Sequence, residues 1–105
     1  MATLIWQASP MYFSPGDETA FFTWLQSIPG VVSVGGAGLA LHIRLRSKRL
    51  SANSLRELIA LYWRYGGFLP DLAQFENPSN TAWLRAPKAF WYRRMFPLDS
   101  ESRSR

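Results

Sequence analysis

One histidine, seven carboxylates and no cysteine are the inventory from which any catalysis by this chain would have to be built. His42 cannot form a two-histidine acid/base pair or a multi-histidine metal site within one chain, and no Gly-x-Ser-x-Gly elbow marks any serine as a nucleophile. Without cysteine there is no thiolate, no disulfide and no zinc-thiolate site. Of the acidic residues, Asp17 and Glu18 read as helix-start charges and Asp99 and Glu101 lie near the C-terminus. Glu57, Asp71 and Glu76 remain as the carboxylates that could do paired acid/base work, if the fold brought them within a few ångströms. The glycine cluster Gly35-Gly36-Ala37-Gly38 lacks the Lys and Ser/Thr of a phosphate loop and precedes a strand, so it reads as a turn. The expectation is a protein that is not an enzyme and holds no metal or cofactor.

Binding is better represented. The formal charge is +5, carried largely by arginine, and such an excess favours an acidic protein face or a nucleic acid. Two stretches concentrate it: Arg44-Leu45-Arg46-Ser47-Lys48-Arg49, and Arg85 to Arg94, the latter interleaved with Phe90, Trp91 and Tyr92. Arginines neutralising phosphates beside rings that stack on bases would make a nucleic-acid surface. The competing expectation, which the density of rings favours, puts the aromatics in the core and the charges on a solvated rim.

The elements that would position these residues follow from periodicity and punctuation. Thr3 to Gln7 reads as a short strand. Ser14-Pro15-Gly16-Asp17 is a helix start, with Ser14 as cap and Pro15 at the first helical position, and Phe21, Trp24, Leu25 and Ile28 then share one face. After Pro29-Gly30, a β-branched run, Val31, Val32 and Val34, leads into the glycine turn. From Leu39 to Arg46 the alternation is complete: Leu39, Leu41, Ile43 and Leu45 point one way, while Ala40, His42, Arg44 and Arg46 point the other. Ser51 or Ser54 begins a second helix, and Ser54 with Glu57 has the spacing of a capping box. Leu55, Leu58, Ile59 and Tyr62 line its buried face, and Gly66-Gly67 ends it. Beyond it, Pro70 to Phe75, Asn77-Pro78 and Pro87 announce short helices.

At 105 residues, 48% of them hydrophobic and 15% aromatic, the chain has the material for one folded domain. The expected fold class is α+β: an antiparallel sheet of about three strands with helices packed on one face and short C-terminal helices. Residues 1–97 form the expected single domain and 98–105 a disordered tail. No leader or spanning segment is visible in the sequence, so the expected location is cytoplasmic, away from any membrane.

Three segments together resemble a known family: Phe21-Phe22-Thr23-Trp24-Leu25 with Ile28-Pro29-Gly30, Leu55-Arg56-Glu57-Leu58-Ile59 to Arg64-Tyr65-Gly66, and Trp83 to Pro87 with Trp91-Tyr92. They resemble the small bacterial immunity proteins of contact-dependent growth inhibition, a polymorphic toxin system, over about Leu4 to Phe96. The resemblance implies an antitoxin that binds the C-terminal domain of a cognate toxin, a nuclease for instance, and inhibits it stoichiometrically. The segments are aromatic framework and locate no interface. The chain departs from one common pattern, since inhibitors of basic nucleases often present acidic surfaces and this chain is net basic. Two partner-binding surfaces therefore stand open: an acidic edge of Asp71 and Glu76 with Asn77 and Asn80, or the outward strand row of His42, Arg44 and Arg46. The alternative function is a small basic nucleic-acid-binding module.

Overall fold

The computed structural model describes residues 1–7 and 10–98. The expected tail therefore lies outside the described residues except for Leu98. Two compact units are present, the first running Met1–Phe68 and the second beginning at Leu69.

The first unit is a three-stranded antiparallel sheet with two helices. Strands β1 (Ala2–Trp6), β2 (Val31–Ala37) and β3 (Ala40–Leu45) lie in the order β1-β3-β2, so the clearest alternating segment of the sequence is the central strand. Its partners are in register over five pairs on one side, from Ala2 opposite Leu45 to Trp6 opposite Leu41. On the other side the register slips between Val31 and Ser33. This bulge turns Val32 outward, where it is 49% exposed.

Leu4, Trp6, Leu41, Ile43 and Leu45 are buried on the inner sheet face. There the Trp6 ring meets Phe21 of helix α1 (Pro15–Ser27) edge-on at 5.2 Å and Tyr62 of helix α2 (Ala52–Tyr65) at 4.2 Å. Both helices thus cover one face of the sheet. Edge and tilted ring pairs of this kind add about 1 kcal/mol each beyond the area they bury.

The start of α1 is as its sequence predicts: Ser14 Oγ accepts from the Asp17 amide at 3.1 Å, Pro15 opens the first turn, and Asp17 Oδ2 accepts from the Phe13 amide at 3.0 Å. In α2 the cap is Ser51, which accepts from the Ser54 amide at 3.1 Å. The capping box expected between Ser54 and Glu57 is therefore absent. Ser54 is buried and its hydroxyl donates to the Pro29 carbonyl at 2.8 Å, while Glu57 Oε1 accepts from the Trp24 indole at 2.9 Å. A long-range partner has claimed each side chain that local spacing assigned to the cap. Gly66, at φ 75°, ends α2 in the left-handed conformation.

The β2-β3 turn is shorter than the glycine cluster suggests. Only Gly38 has positive φ, 62°, while Gly35 and Gly36 belong to β2 and pair with His42 and Leu41. Leu39, expected on the buried face, sits in the turn and is 82% exposed.

The second unit contains a 3-10 helix (Leu69–Phe75) and two single-turn helices, α3 (Thr81–Leu84) and α4 (Tyr92–Met95). Leu69, Leu72, Phe75, Leu84, Trp91, Tyr92, Met95 and Phe96 are its buried hydrophobic side chains. Polar groups fix the turns between them. Asn77 Oδ1 accepts from the Ser79 and Asn80 amides at 2.8 and 3.1 Å, and Asn80 returns the bond, its Oδ1 accepting from the Asn77 amide at 2.8 Å.

Candidate interaction surface

The outer face of the sheet carries two rows of side chains. Register across the three strands sets Ile5, His42 and Gly35 in one line and Thr3, Arg44 and Ser33 in the next, and all six residues are exposed. Strand alternation requires this arrangement, because Leu41, Ile43 and Leu45 occupy the opposite face. Gly35 leaves His42 uncovered on the β2 side. A Cβ built at Gly35 meets nothing within 4 Å, so a partner's backbone can approach the imidazole there.

His42 and Arg44 have no carboxylate partner among the described residues. In the same unit, Asp17 is taken by Tyr65, whose hydroxyl donates to it at 3.1 Å, and by the Phe13 amide, and Glu57 is taken by Trp24. Burial first, and the bond to Asp17 second, push the Tyr65 phenol above its ordinary value.

Arg46 parts from this row. It lies one residue beyond β3, its amide donating to the Gly30 carbonyl at 2.9 Å, and it lines a cleft of about 200 Å³ together with Pro29, Ser47, Arg49, Leu50 and Ser51. The apolar/polar alternation of the sequence runs one residue past the end of the strand at Leu45.

The acidic edge expected in the second unit is largely consumed by its own fold. Glu76 forms a two-point pair with Arg85, whose Nη2 donates to Oε1 at 3.0 Å while Nε and the Thr81 hydroxyl both donate to Oε2. Above all the Arg85 guanidinium, and then Thr81, hold the Glu76 carboxyl below the usual range against an opposing desolvation. Asn80 is 5% exposed and its side-chain Nδ2 donates to the Phe75 carbonyl at 2.8 Å. Asn77 is engaged in the turn described above. Asp71 is half-buried, which pushes its carboxyl above the ordinary value.

The second basic stretch divides in the same way. Trp91 and Tyr92 are buried, and the Trp91 indole donates to the Leu84 carbonyl at 2.8 Å. Arg85 is held by Glu76 and also lies over the Phe96 ring at 4.2 Å. Phe90, 55% exposed, is the one ring of the Phe90-Trp91-Tyr92 run that faces solvent. A stacking platform needs more than that.

Among the described residues no three His, Cys, Asp or Glu side chains are grouped as a metal site, and no helix is long and apolar enough to cross a membrane. No family model, curated protein or solved structure matches the chain.

Proposed function

We propose that this chain is a stoichiometric binding protein of the immunity type, which neutralises a cognate bacterial toxin domain by covering an acidic surface of it with the outer face of the sheet. The observation that carries the reading is the exposed pair His42 and Arg44 at the centre of that face, flanked by Ile5 and the open backbone at Gly35. Charged side chains already paired within their own fold have little to offer a partner, and Glu76 and Arg85 are in that position. Arg44 keeps its donors for a second molecule, and arginine is the side chain best suited to a bidentate contact with a carboxylate. The immunity assignment itself rests on the resemblance of the three aromatic segments. Many of their side chains, including Phe21, Leu25, Leu55, Leu58, Ile59, Trp91 and Tyr92, are buried, in keeping with a framework role.

On this reading no turnover is needed, and one inhibitor meets one toxin in the cytoplasm. Calorimetric titration with the C-terminal domain of the toxin encoded beside it tests the proposal. Saturation at one to one supports it. Failure of the toxin domain to bind, together with binding to RNA that falls steeply with salt, replaces it with the nucleic-acid reading.

A further inference from the structure

The cleft beside Gly30 has a character of its own. It lies within the first unit, between the end of β3 and the start of α2, and Arg46 and Arg49 are among the residues that line it. Both arginines are exposed and neither has a carboxylate partner among the described residues, so the cleft is lined by two basic residues that the described fold does not neutralise. Two basic residues lining one concavity of about 200 Å³ give it a positive local potential that favours an anion.

The hydroxyls around the cleft refine what that anion is. Ser51 Oγ accepts from the Ser54 amide and its hydrogen goes to Ser54 Oγ at 3.1 Å, while Ser54 donates onward to Pro29. Ser47 differs: its Oγ accepts from the Arg49 amide at 3.1 Å, which fixes the loop and leaves its own hydrogen to point elsewhere. Arg46, Arg49 and Ser47 are thus the lining residues with side-chain donors to offer. A planar carboxylate is satisfied by one guanidinium fork, whereas a phosphoryl group presents three oxygens in different directions and uses donors from several sides. The volume is ample, since a single water needs only about 10–15 Å³ of such space.

We propose that the cleft is a binding site for a phosphoryl group, gripped by Arg46 and Arg49 with Ser47. It is separate from the His42 and Arg44 row, and its test requires no protein partner, so either proposal can fail without the other. The positive end of α2, whose first turn carries no acidic residue, adds to the field of the two arginines and is not itself the basis of the site.

The experiment is a titration of the ¹⁵N-labelled chain with inorganic phosphate, phenyl phosphate and dimethyl phosphate at constant ionic strength, followed by amide and arginine side-chain shifts. Saturable shifts centred on residues 46–51 are expected. The Arg46→Ala/Arg49→Ala variant should weaken phosphate binding roughly tenfold or more, because it removes both charge-assisted donors. Lys88→Ala/Arg93→Ala, which removes the same net charge elsewhere, should leave it unchanged. Arg46→Lys/Arg49→Lys keeps the charge and loses the forks, and an intermediate loss there marks geometry as well as field. All four positions of the alanine variants are exposed, and retention of the wild-type melting profile confirms that each variant folds. Preference for phenyl phosphate assigns the site to a terminal phosphoryl group, and preference for dimethyl phosphate assigns it to a nucleic-acid backbone. Shifts that stay linear and spread over every basic residue, or equal weakening in the two alanine variants, overturn the proposal.

Discussion

The indole of Trp24 donates to the carboxylate of Glu57 at 2.9 Å, joining two helices from residues 33 positions apart. Local spacing had offered Glu57 two other roles, as the closing residue of a capping box and as a catalytic carboxylate. The bond defines the side chain's task as a brace between α1 and α2. Glu57→Ala should lower stability by about 1 kcal/mol, the net worth of one such bond. Glu57→Gln keeps an acceptor and should cost less. Urea unfolding of both variants, alongside Trp24→Phe, checks this. The double variant Glu57→Ala/Trp24→Phe should be less destabilised than the sum of the two single changes.

Gly66 and Gly67 are adjacent but constrained differently. Gly66 is left-handed with open space around its missing Cβ, so Gly66→Ala should cost about 1 kcal/mol of backbone strain. At Gly67 a Cβ would lie 2.7 Å from Cγ of the fully buried Tyr62. Gly67→Ala should therefore be the more damaging of the two, since the ring it displaces packs on Trp6. Comparing the two melting temperatures decides the order.

The Glu76 carboxyl sits below its ordinary value near 4.5 because Arg85 and Thr81 favour its charged form. A lowered folded value means that the stabilisation is fully present above the unfolded value and is lost as the pH falls through the folded one. Acidification below about pH 4.5 should therefore loosen the second unit. Hydrogen exchange of the Leu84–Met95 amides should rise over that range. In Glu76→Gln the same amides should be less protected at neutral pH and respond less to acid.

How much of this was legible beforehand depended on whether local or distant chemistry governed each residue. The alternation from Leu41 to Leu45, the Ser14-Pro15 start and the Gly66 stop are local, and each appears in the fold where its sequence places it. Glycine spacing misled at Gly35 and Gly36, because glycine permits a turn without requiring one and strand pairing with β3 held both in extended form. Local spacing does not reveal the partners of Ser54, Glu57 and Asn80, for one reason. Each is bound to a group whose proximity only the folded chain creates, whether Pro29, Trp24 or Phe75. The pairing of Glu76 with Arg85 had a weak signal, an opposite charge nine residues away across short helices. Of the cleft, the basic stretch supplies Arg46, Ser47 and Arg49, while its remaining wall has no local signal, since Pro29 and Ser51 meet only through tertiary structure.

Gly35 provides a block for the outer sheet face. Its Cβ direction is empty and its φ is not positive, so Gly35→Tyr should fold with unchanged or slightly higher stability, tyrosine being a better strand residue than glycine. The added ring would stand beside His42. Loss of toxin binding in a variant with a wild-type melting temperature would assign the contact to this face, and retained binding would move it elsewhere.

The most direct test of the account is a calorimetric comparison of wild-type protein and Arg44→Glu against the cognate toxin domain, with Arg93→Glu as the matched charge reversal on the second unit. Reversing a central charge against an acidic partner should weaken binding by at least about 100-fold, as expected when like charges are forced together in an interface. Arg44→Glu should show that loss and Arg93→Glu near-wild-type affinity. Equal affinity in wild type and Arg44→Glu would contradict it.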